Sequence, residues 1–224
     1  MMLEMVRLGT RASLTHLLIV DVTNRGRNLA EPTPSADPDA PVVARLIAGD
    51  ETALGELMKR HGGRLRQIAL RMTGRSDDAE DIVQDAFVAV WRRAGALKVD
   101  GAPFGAYLTR TVVNRCIDKA RREKLRRMIG LDSTPEPEDQ TPGADQAVAS
   151  RSEMAAVAQD LRALPARQRA AILLVSTQEH GVGEVAQIMG LSVGAVEQLL
   201  VRARRTLRNR AFERMNSKEE ATGA

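Results

Sequence analysis

Apolar residues recur every three or four positions through most of the chain, which is the pattern of amphipathic helices. This periodicity runs from Pro41 to about Ile129 and again from about Ser150 to Met215. Between the two blocks, three prolines lie among acidic residues over 131–145, which predicts a linker. Strand-forming residues are scarce and helix formers are abundant. The sequence therefore predicts an all-α protein with two small helical domains joined by a flexible acidic linker.

Four prolines over 31–41 exclude a regular helix there and predict a disordered N-terminal extension. Met2 and Met5 leave a later start of translation open. The predicted segments are the extension at 1–40, a first domain at 41–130, the linker at 131–152, a second domain at 153–215 and a polar tail at 216–224.

Residues 183–205 have the pattern of a helix-turn-helix. Gly190 supplies the turn after one short helix, and Ser192 is placed to cap a second helix, which Val196 and Leu199 would lock in place. In this geometry the start of the second helix enters the major groove of DNA. The residues expected at base edges are Ser192, Val193, Gly194, Glu197 and Gln198, with Arg202 and Arg205 near phosphates. A plain α-hairpin in a helical bundle is the alternative.

Residues 77–92 predict a helix with one apolar and one acidic face. Asp81, Gln84 and Asp85 lie opposite the apolar face, and Asp77 with Glu80 has the spacing of a capping box. Without a histidine cluster or a second acidic motif, these carboxylates make a poor metal or catalytic site. A protein-docking face is therefore predicted. The apolar face consists of Val83, Ala86, Phe87, Val90 and Trp91.

Residues 104–127 predict a basic helix. Seven basic and two acidic residues lie between Arg115 and Arg127, which favours contact with phosphates, although a merely solvated basic face stays open. Phe104 and Tyr107 stand at its start, where aromatic faces could stack on unpaired bases for about 1–3 kcal/mol each. Either ring could equally belong to the core.

The charge is divided unevenly along the chain. Against a net charge of +4, residues 41–131 carry 18 basic and 11 acidic side chains, whereas 132–153 carry one and six. Two basic modules on an acidic tether could both face a polyanion. Cys116 is the single cysteine, and no cysteine–histidine pair has metal-site spacing, so no disulfide, metal or cofactor is predicted. The apolar run 17–20 is too short to span a membrane, so no direct membrane insertion is expected.

Three of these motifs resemble bacterial RNA polymerase sigma factors of the extracytoplasmic-function (ECF) class, which retain sigma domains 2 and 4. Residues 78–91 are similar to the family's core-polymerase-binding helix, and residues 104–122 to its −10 region. Residues 164–174 and 183–207 are similar to domain 4. The resemblance implies a domain 2 helical bundle followed by a domain 4 helix-turn-helix.

The resemblance also implies roles for particular residues. A flipped −10 base would be read by the loop 96–103, and domain 4 would dock on the polymerase β flap while its second helix reads the −35 element. Many members have Lys-Ser-Arg where this chain has Glu197, Gln198 and Leu199, so no −35 sequence is carried over. Contacts to the β′ clamp helices would come from Asp78, Asp81, Gln84 and Asp85. Contacts to the −10 element would come from Lys98, Asp100, Arg110, Asn114, Lys119, Arg121 and Arg122.

The expected function is that of a promoter-specificity subunit without chemistry of its own. Its partners would be core RNA polymerase, promoter DNA and an anti-sigma factor, which could hold this otherwise cytoplasmic protein at the membrane. A stand-alone helix-turn-helix regulator is the alternative, but it leaves the first domain without a role. A helical enzyme would need converging titratable groups, yet His16, His61 and His180 lie in three different segments. Neither the promoters nor the inducing signal follows from the residues.

Overall fold

The computed structural model describes residues 37–96, 103–130, 148–176 and 180–222. Throughout these ranges the regular structure is helical and no strand occurs, so the all-α prediction is confirmed. A single 3₁₀ turn at Ala94–Ala96 follows the third helix. The helices are α1 (Ala40–Ile47), α2 (Glu51–Thr73), α3 (Ser76–Arg92), α4 (Phe104–Met128), α5 (Val148–Ala163), α6 (Ala166–Ser176), α7 (Val182–Met189) and α8 (Val193–Thr222).

Helices α1–α4 form a first helical group and α5–α8 a second. Helix α2 is the centre of the first group and packs against α1, α3 and α4. Its N-cap is Asp50, whose carboxylate accepts a hydrogen bond from the Thr52 backbone N–H at 2.9 Å. Hydrogen bonds from the Thr52 hydroxyl and from Arg45 lower the pKa of Asp50 to about 2. The helix ends at Gly74, whose φ of 81° lies in the left-handed region that glycine adopts without strain.

The apolar face of α3 is buried as predicted, with one exception. Phe87 is 2% exposed and Val90 is fully buried, but Trp91 is 48% exposed. Its place on the buried face was wrong, because Trp91 lies at the end of α3, where the apolar spacing continues but the ring is left uncovered. The predicted capping box was also wrong: α3 begins at Ser76, whose hydroxyl donates to Glu80 at 3.2 Å.

The two helical groups share one hydrophobic core within a compact unit over residues 36–210. Helix α4 packs against α6 and α7, and α2 packs against α5 and α6. Because α6 is contacted from both groups, five consecutive residues of it are buried, from Ala170 to Leu174. Most of the predicted linker lies outside the described residues, but its last part, 148–152, is helical and belongs to α5, so the linker ends earlier than predicted. The boundaries of the two domains remain predictions.

Two ends of the chain differ from the predicted segments. The extension was expected to reach residue 40, yet Asp37 and Asp39 already belong to the fold and Asp39 is 4% exposed. Helix α8 continues to Thr222, past the predicted start of the tail at 216. No single helix of the described chain is long and apolar enough to cross a membrane. Helix α7 and residues Val193–Asn216 reach that length and hydropathy only as a pair bent by 101°.

Candidate protein and nucleic-acid interfaces

The acidic face of α3 is exposed at Asp81, Gln84 and Asp85, opposite the buried stripe. Asp78 differs from these three residues. Its side chain is 20% exposed, and its Oδ1 lies 2.9 Å from Nζ of Lys119 on α4. These two residues, predicted to bind different partners, contact each other in the structure.

A second ion pair also joins α3 to α4. Arg115 lies 3.1 Å from the Asp85 carboxylate and donates to the Asp85 backbone carbonyl at 3.2 Å. In the first pair, burial alone lowers the pKa of Lys119, but hydrogen bonds to Asp78 and Glu123 outweigh it and leave the pKa raised. Part of the charge predicted to face partners therefore holds the two helices together.

The predicted −10 residues Arg110, Asn114, Arg121 and Arg122 are all exposed on α4. Lys98 and Asp100 lie outside the described residues. The structure separates the two aromatic residues that sequence reasoning left equivalent: Phe104 is 1% exposed and belongs to the core, whereas Tyr107 is 37% exposed. Of these two residues, Tyr107 is therefore the one that can offer a ring to a ligand.

Tyr107 lines a groove between α3 and α4 with a volume of about 540 Å³. Asn114 and Arg115 line it from α4, and Arg92 and Arg93 line it from the end of α3. Sequence reasoning missed this arginine pair. Its signal was its position, since a basic pair directly after an amphipathic helix and before a Gly/Pro-containing loop lies at the edge of the helical bundle.

The helix-turn-helix is formed by α7 and α8. Gly190 ends α7 with a φ of 63°, and the Leu191 N–H donates to the Ala186 carbonyl at 2.9 Å. The Ser192 hydroxyl accepts from the Ala195 N–H at 3.2 Å, so its capping role is confirmed. The bend of 101° between the helices lies in the range of this motif.

The lock of the second helix differs slightly from the prediction. Val196 is fully buried as expected, but Leu200 and Ala203 complete the contact, while Leu199 is only half-buried. The predicted DNA-facing residues Ser192, Val193, Gly194, Glu197, Gln198, Arg202 and Arg205 are all exposed. Within the part of the chain whose side chains are described, the charged residues Glu197, Arg202 and Arg205 make no ion pair.

A partly buried arginine joins the two helical groups. The Arg169 guanidinium donates to the backbone carbonyls of Arg162, at 2.7 Å, and Leu164, at 3.1 Å, at the end of α5. It also donates to the carbonyl of Met72 at the end of α2. One cation thus caps two helix C-termini, where positive charge is favoured. Burial lowers the pKa of Arg169.

The same junction brings a predicted −10 residue beside the helix-turn-helix. A Cβ placed on Gly190 would lie 3.3 Å from Nη2 of Arg110. A side chain at Gly74 would collide with Arg162. His180, 8% exposed, contacts Arg64 through Nε2, and its Nδ1 lies 2.7 Å from Glu184. The two helical groups are therefore joined by polar side-chain contacts as well as by the shared hydrophobic core.

Comparison with known proteins supplies the family. Residues 57–126 match the model of sigma-70 region 2, and residues 155–207 match that of sigma-70 region 4. The ECF RNA polymerase sigma factor SigM of Mycobacterium tuberculosis is 35% identical over 170 residues, which cover 75% of this chain and 82% of SigM. The chain belongs to the ECF sigma factors. The sigma factor CnrH of Cupriavidus metallidurans is also 35% identical, over 76% of this chain and 93% of CnrH.

Solved structures agree with this assignment. CnrH in complex with the cytosolic domain of CnrY superposes with a TM-score of 0.57 at 32% identity, over 76% of this sigma factor and 95% of that chain. The sigma factor RpoE of Bartonella quintana, in complex with the anti-sigma factor NepR, shares the fold with a TM-score of 0.54 at 22% identity, over 70% and 95% of the two chains. The protein is thus a transcription initiation factor of a non-catalytic family. It binds core RNA polymerase, directs it to promoters through their −35 and −10 elements and helps to open the −10 region.

Proposed function

We propose that three separate surfaces of this sigma factor bind its polymerase and DNA partners. The acidic face of α3 binds the β′ clamp helices, α4 with the adjoining groove engages the −10 strand, and the start of α8 reads the −35 element. The observation that carries the proposal is that the three surfaces differ in chemistry. Helix α3 presents carboxylates, the groove presents an aromatic ring among three arginines and two aspartates, and α8 presents a capped helix start.

Within the acidic face, Asp81 and Gln84 are the principal contacts. Both are exposed and neither is drawn into the ion pairs that join α3 to α4. Asp85 can contribute from the rim of the groove, because its side chain is 68% exposed even while it pairs with Arg115. Asp78 is the weakest candidate, because its side chain is only 20% exposed and its carboxylate pairs with Lys119 and Arg75. A partner would have to compete with both cations for that carboxylate.

The groove accommodates an unpaired nucleotide of the −10 strand. Its volume of about 540 Å³ lies within the usual range of small-ligand sites. Tyr107 offers a face for base stacking, while Arg92 and Arg93 are placed to neutralise phosphates. Asn114 can donate to and accept from a base edge. Arg121 and Arg122, further along α4, extend the basic track.

On α8, Glu197 and Gln198 read bases and the arginines hold phosphates. Glutamate accepts a hydrogen bond from the cytosine amino group, and glutamine pairs with adenine in the major groove. Arg202 and Arg205 lie one to two turns further along the same helix, where phosphate contact sets the register without reading sequence. The replacement of the family's Lys-Ser-Arg predicts a −35 element that differs from that of many members.

An anti-sigma factor is the proposed regulator. Support comes from CnrH, whose solved structure is a complex with the cytosolic domain of CnrY and which this chain matches over 95% of that chain. The same reasoning favours a cytoplasmic location with release from an anti-sigma factor as the activating step. The sigma factor itself contributes promoter recognition and strand opening, and the polymerase contributes the catalysis.

The experiment that tests the proposal is run-off transcription with purified core polymerase on a genomic promoter library. Asp81→Arg is expected to weaken core binding by about tenfold or more, because reversing the charge replaces attraction by repulsion at a contact. Glu51→Arg is the matched control, since Glu51 is an exposed acid on a different helix, in the first turn of α2. Equal loss in both variants would contradict the assigned surface. A wild type that ignores core polymerase but binds duplex DNA alone would favour a stand-alone regulator.

A further inference from the structure

Helix α4 begins without a cap of its own. It starts at Phe104 after Pro103, which has no side chain able to accept from the first backbone N–H groups. The acceptor comes instead from the start of the fold: Oδ2 of Asp37 receives the Phe104 N–H at 2.7 Å. A carboxylate at this position also opposes the positive end of the helix dipole. Asp37 therefore takes the place of an N-cap from 67 positions away.

Asp37 is itself held in place by a polar cluster around the buried Asp39. Its Oδ1 accepts from the backbone N–H of Asp39 at 3.0 Å. The Asp39 carboxylate accepts from Arg60 at 3.1 Å and lies 2.7 Å from Nε2 of His61. Arg60 also donates to the carbonyl of Pro38 at 3.2 Å. The turn that carries Asp37 is thus tied to α2 through Arg60 and His61.

The cluster reaches the proposed −10 groove through aromatic contacts. The His61 ring meets Phe104 edge-on, with centroids 6.4 Å apart. Phe104 in turn stacks on Tyr107, with centroids 6.1 Å apart and the rings inclined by 27°. Phe104 is buried while Tyr107 lines the groove. The position of the first turn of α4 therefore sets the orientation of the exposed ring.

We propose that Asp37 is a positioning residue for −10 engagement: by capping α4 it fixes Phe104, and through Phe104 the ring of Tyr107 in the groove. The inference rests on the proposed role of that groove in binding the −10 strand. It assigns a promoter function to a residue outside the motifs of regions 2 and 4, since the region 2 match begins only at residue 57. Asp37 touches neither polymerase nor DNA in this account and acts through Tyr107.

The test measures the affinity of reconstituted holoenzyme for fork-junction DNA with an unpaired −10 strand, taken from a promoter selected in the run-off experiment. Asp37→Ala is expected to weaken this affinity about fivefold to tenfold, within the range of one base–aromatic stack. Core binding, measured separately, should stay unchanged. Asp37→Asn keeps an oxygen acceptor and should restore the affinity to within about twofold of wild type.

Two further variants separate positioning from plain stabilisation. Asp50→Ala removes the cap of α2 and should lower thermal stability comparably, yet leave fork binding unchanged. Tyr107→Ala should weaken fork binding about tenfold, and adding Asp37→Ala to it should cost nothing more, because both changes act on one contact. Should Asp37→Ala fail to bind core, Asp37→Glu, which keeps the charge on a longer side chain, is measured in its place.

The outcomes distinguish a failure of the proposed −10 role of the groove from a failure of the positioning role of Asp37 alone. If Tyr107→Ala and Asn114→Ala both bind the fork like wild type, the groove is not the −10 site and the proposed function fails. If those two variants bind weakly but Asp37→Ala binds like wild type, the positioning role alone is overturned. Additive losses for Asp37 and Tyr107, or an equal loss in Asp50→Ala, overturn it as well.

Discussion

Charged side chains pair with one another across α3 and α4, whereas Glu197, Arg202 and Arg205 at the start of the recognition helix make no ion pair within the described chain. Asp78 holds Lys119 and Asp85 holds Arg115 across α3 and α4. On α8, Glu197 is exposed and makes no ion pair within the described chain. Both regions have amphipathic helices with comparable charge density in sequence. The two surfaces nevertheless differ in how much charge is available to a partner.

The difference follows from what lies opposite each helix. In the first group α3 and α4 pack side by side, so acids on one and bases on the other come within contact distance along their shared edge. The recognition helix packs one face on the core through Val196 and Leu200, while Glu197 and Gln198 on its other side are exposed. Such surface ion pairs contribute little stability, but each must be broken before its charge can serve a partner.

The largest expected effect concerns the junction between the two regions. Arg169→Ala would leave three backbone carbonyls at the ends of α2 and α5 without their donor, and we expect the free energy of unfolding to fall by about 3 kcal/mol. Arg167→Ala is the matched control, because Arg167 is exposed on the same helix; its effect should stay within about 0.5 kcal/mol. Urea unfolding measures both. Equal effects would show that the junction does not depend on this guanidinium.

The rate at which a thiol reagent labels Cys116 is a second measure of the integrity of the same junction. Burial raises the pKa of Cys116 to about 12, so almost no thiolate exists at neutral pH and labelling of the folded protein should be slow. Arg169→Ala should label faster, because a loosened junction admits solvent to α4. Labelling of Arg167→Ala should match wild type. A rate that is the same in all three proteins would mean that Cys116 is protected independently of Arg169.

The next effect tests whether the charges of α8 are free for DNA. Glu197→Ala should reduce discrimination at one −35 position by about 1–3 kcal/mol, because a bidentate or charge-assisted base contact is lost. Its free energy of unfolding should change by less than about 0.5 kcal/mol, as expected for an exposed side chain without partners. Asn209→Ala, exposed further along α8, is the control for base selection. An unaltered selected sequence with Glu197→Ala would remove Glu197 from the base-reading set.

The smallest effect sharpens the contrast in the first region. A double-mutant cycle of Asp78→Asn and Lys119→Met should give a coupling of about 0.5–1 kcal/mol, which diminishes as salt is added. The same cycle with Asp81→Asn in place of Asp78→Asn should give no coupling, because Asp81 makes no contact with Lys119 in the structure. Coupling of equal size in both cycles would mean that the charges act through the general field of the surface and not as pairs.

Much of the architecture could be read from local pattern. The helical class, the cap at Ser192 and the turn at Gly190 depend on residues within a few positions of each other, and all three appear in the structure. The exposure of Asp81 and Gln84 followed from helical spacing alone. Trp91 escaped the same reasoning, because at the end of a helix periodicity does not tell which residue still has a neighbour to pack against.

The amino-acid sequence by itself determined where the helices lie, which faces are apolar and that two basic helical groups follow one another. Only the tertiary structure decided that these groups share a core, that Asp78 is paired with Lys119, and that Tyr107 and not Phe104 is offered to solvent. It alone brought Asp37 to the start of α4. The physical reason is range: propensity and capping act within a turn or two of helix, whereas pairing and burial depend on which residues distant in sequence the packing of helices brings together.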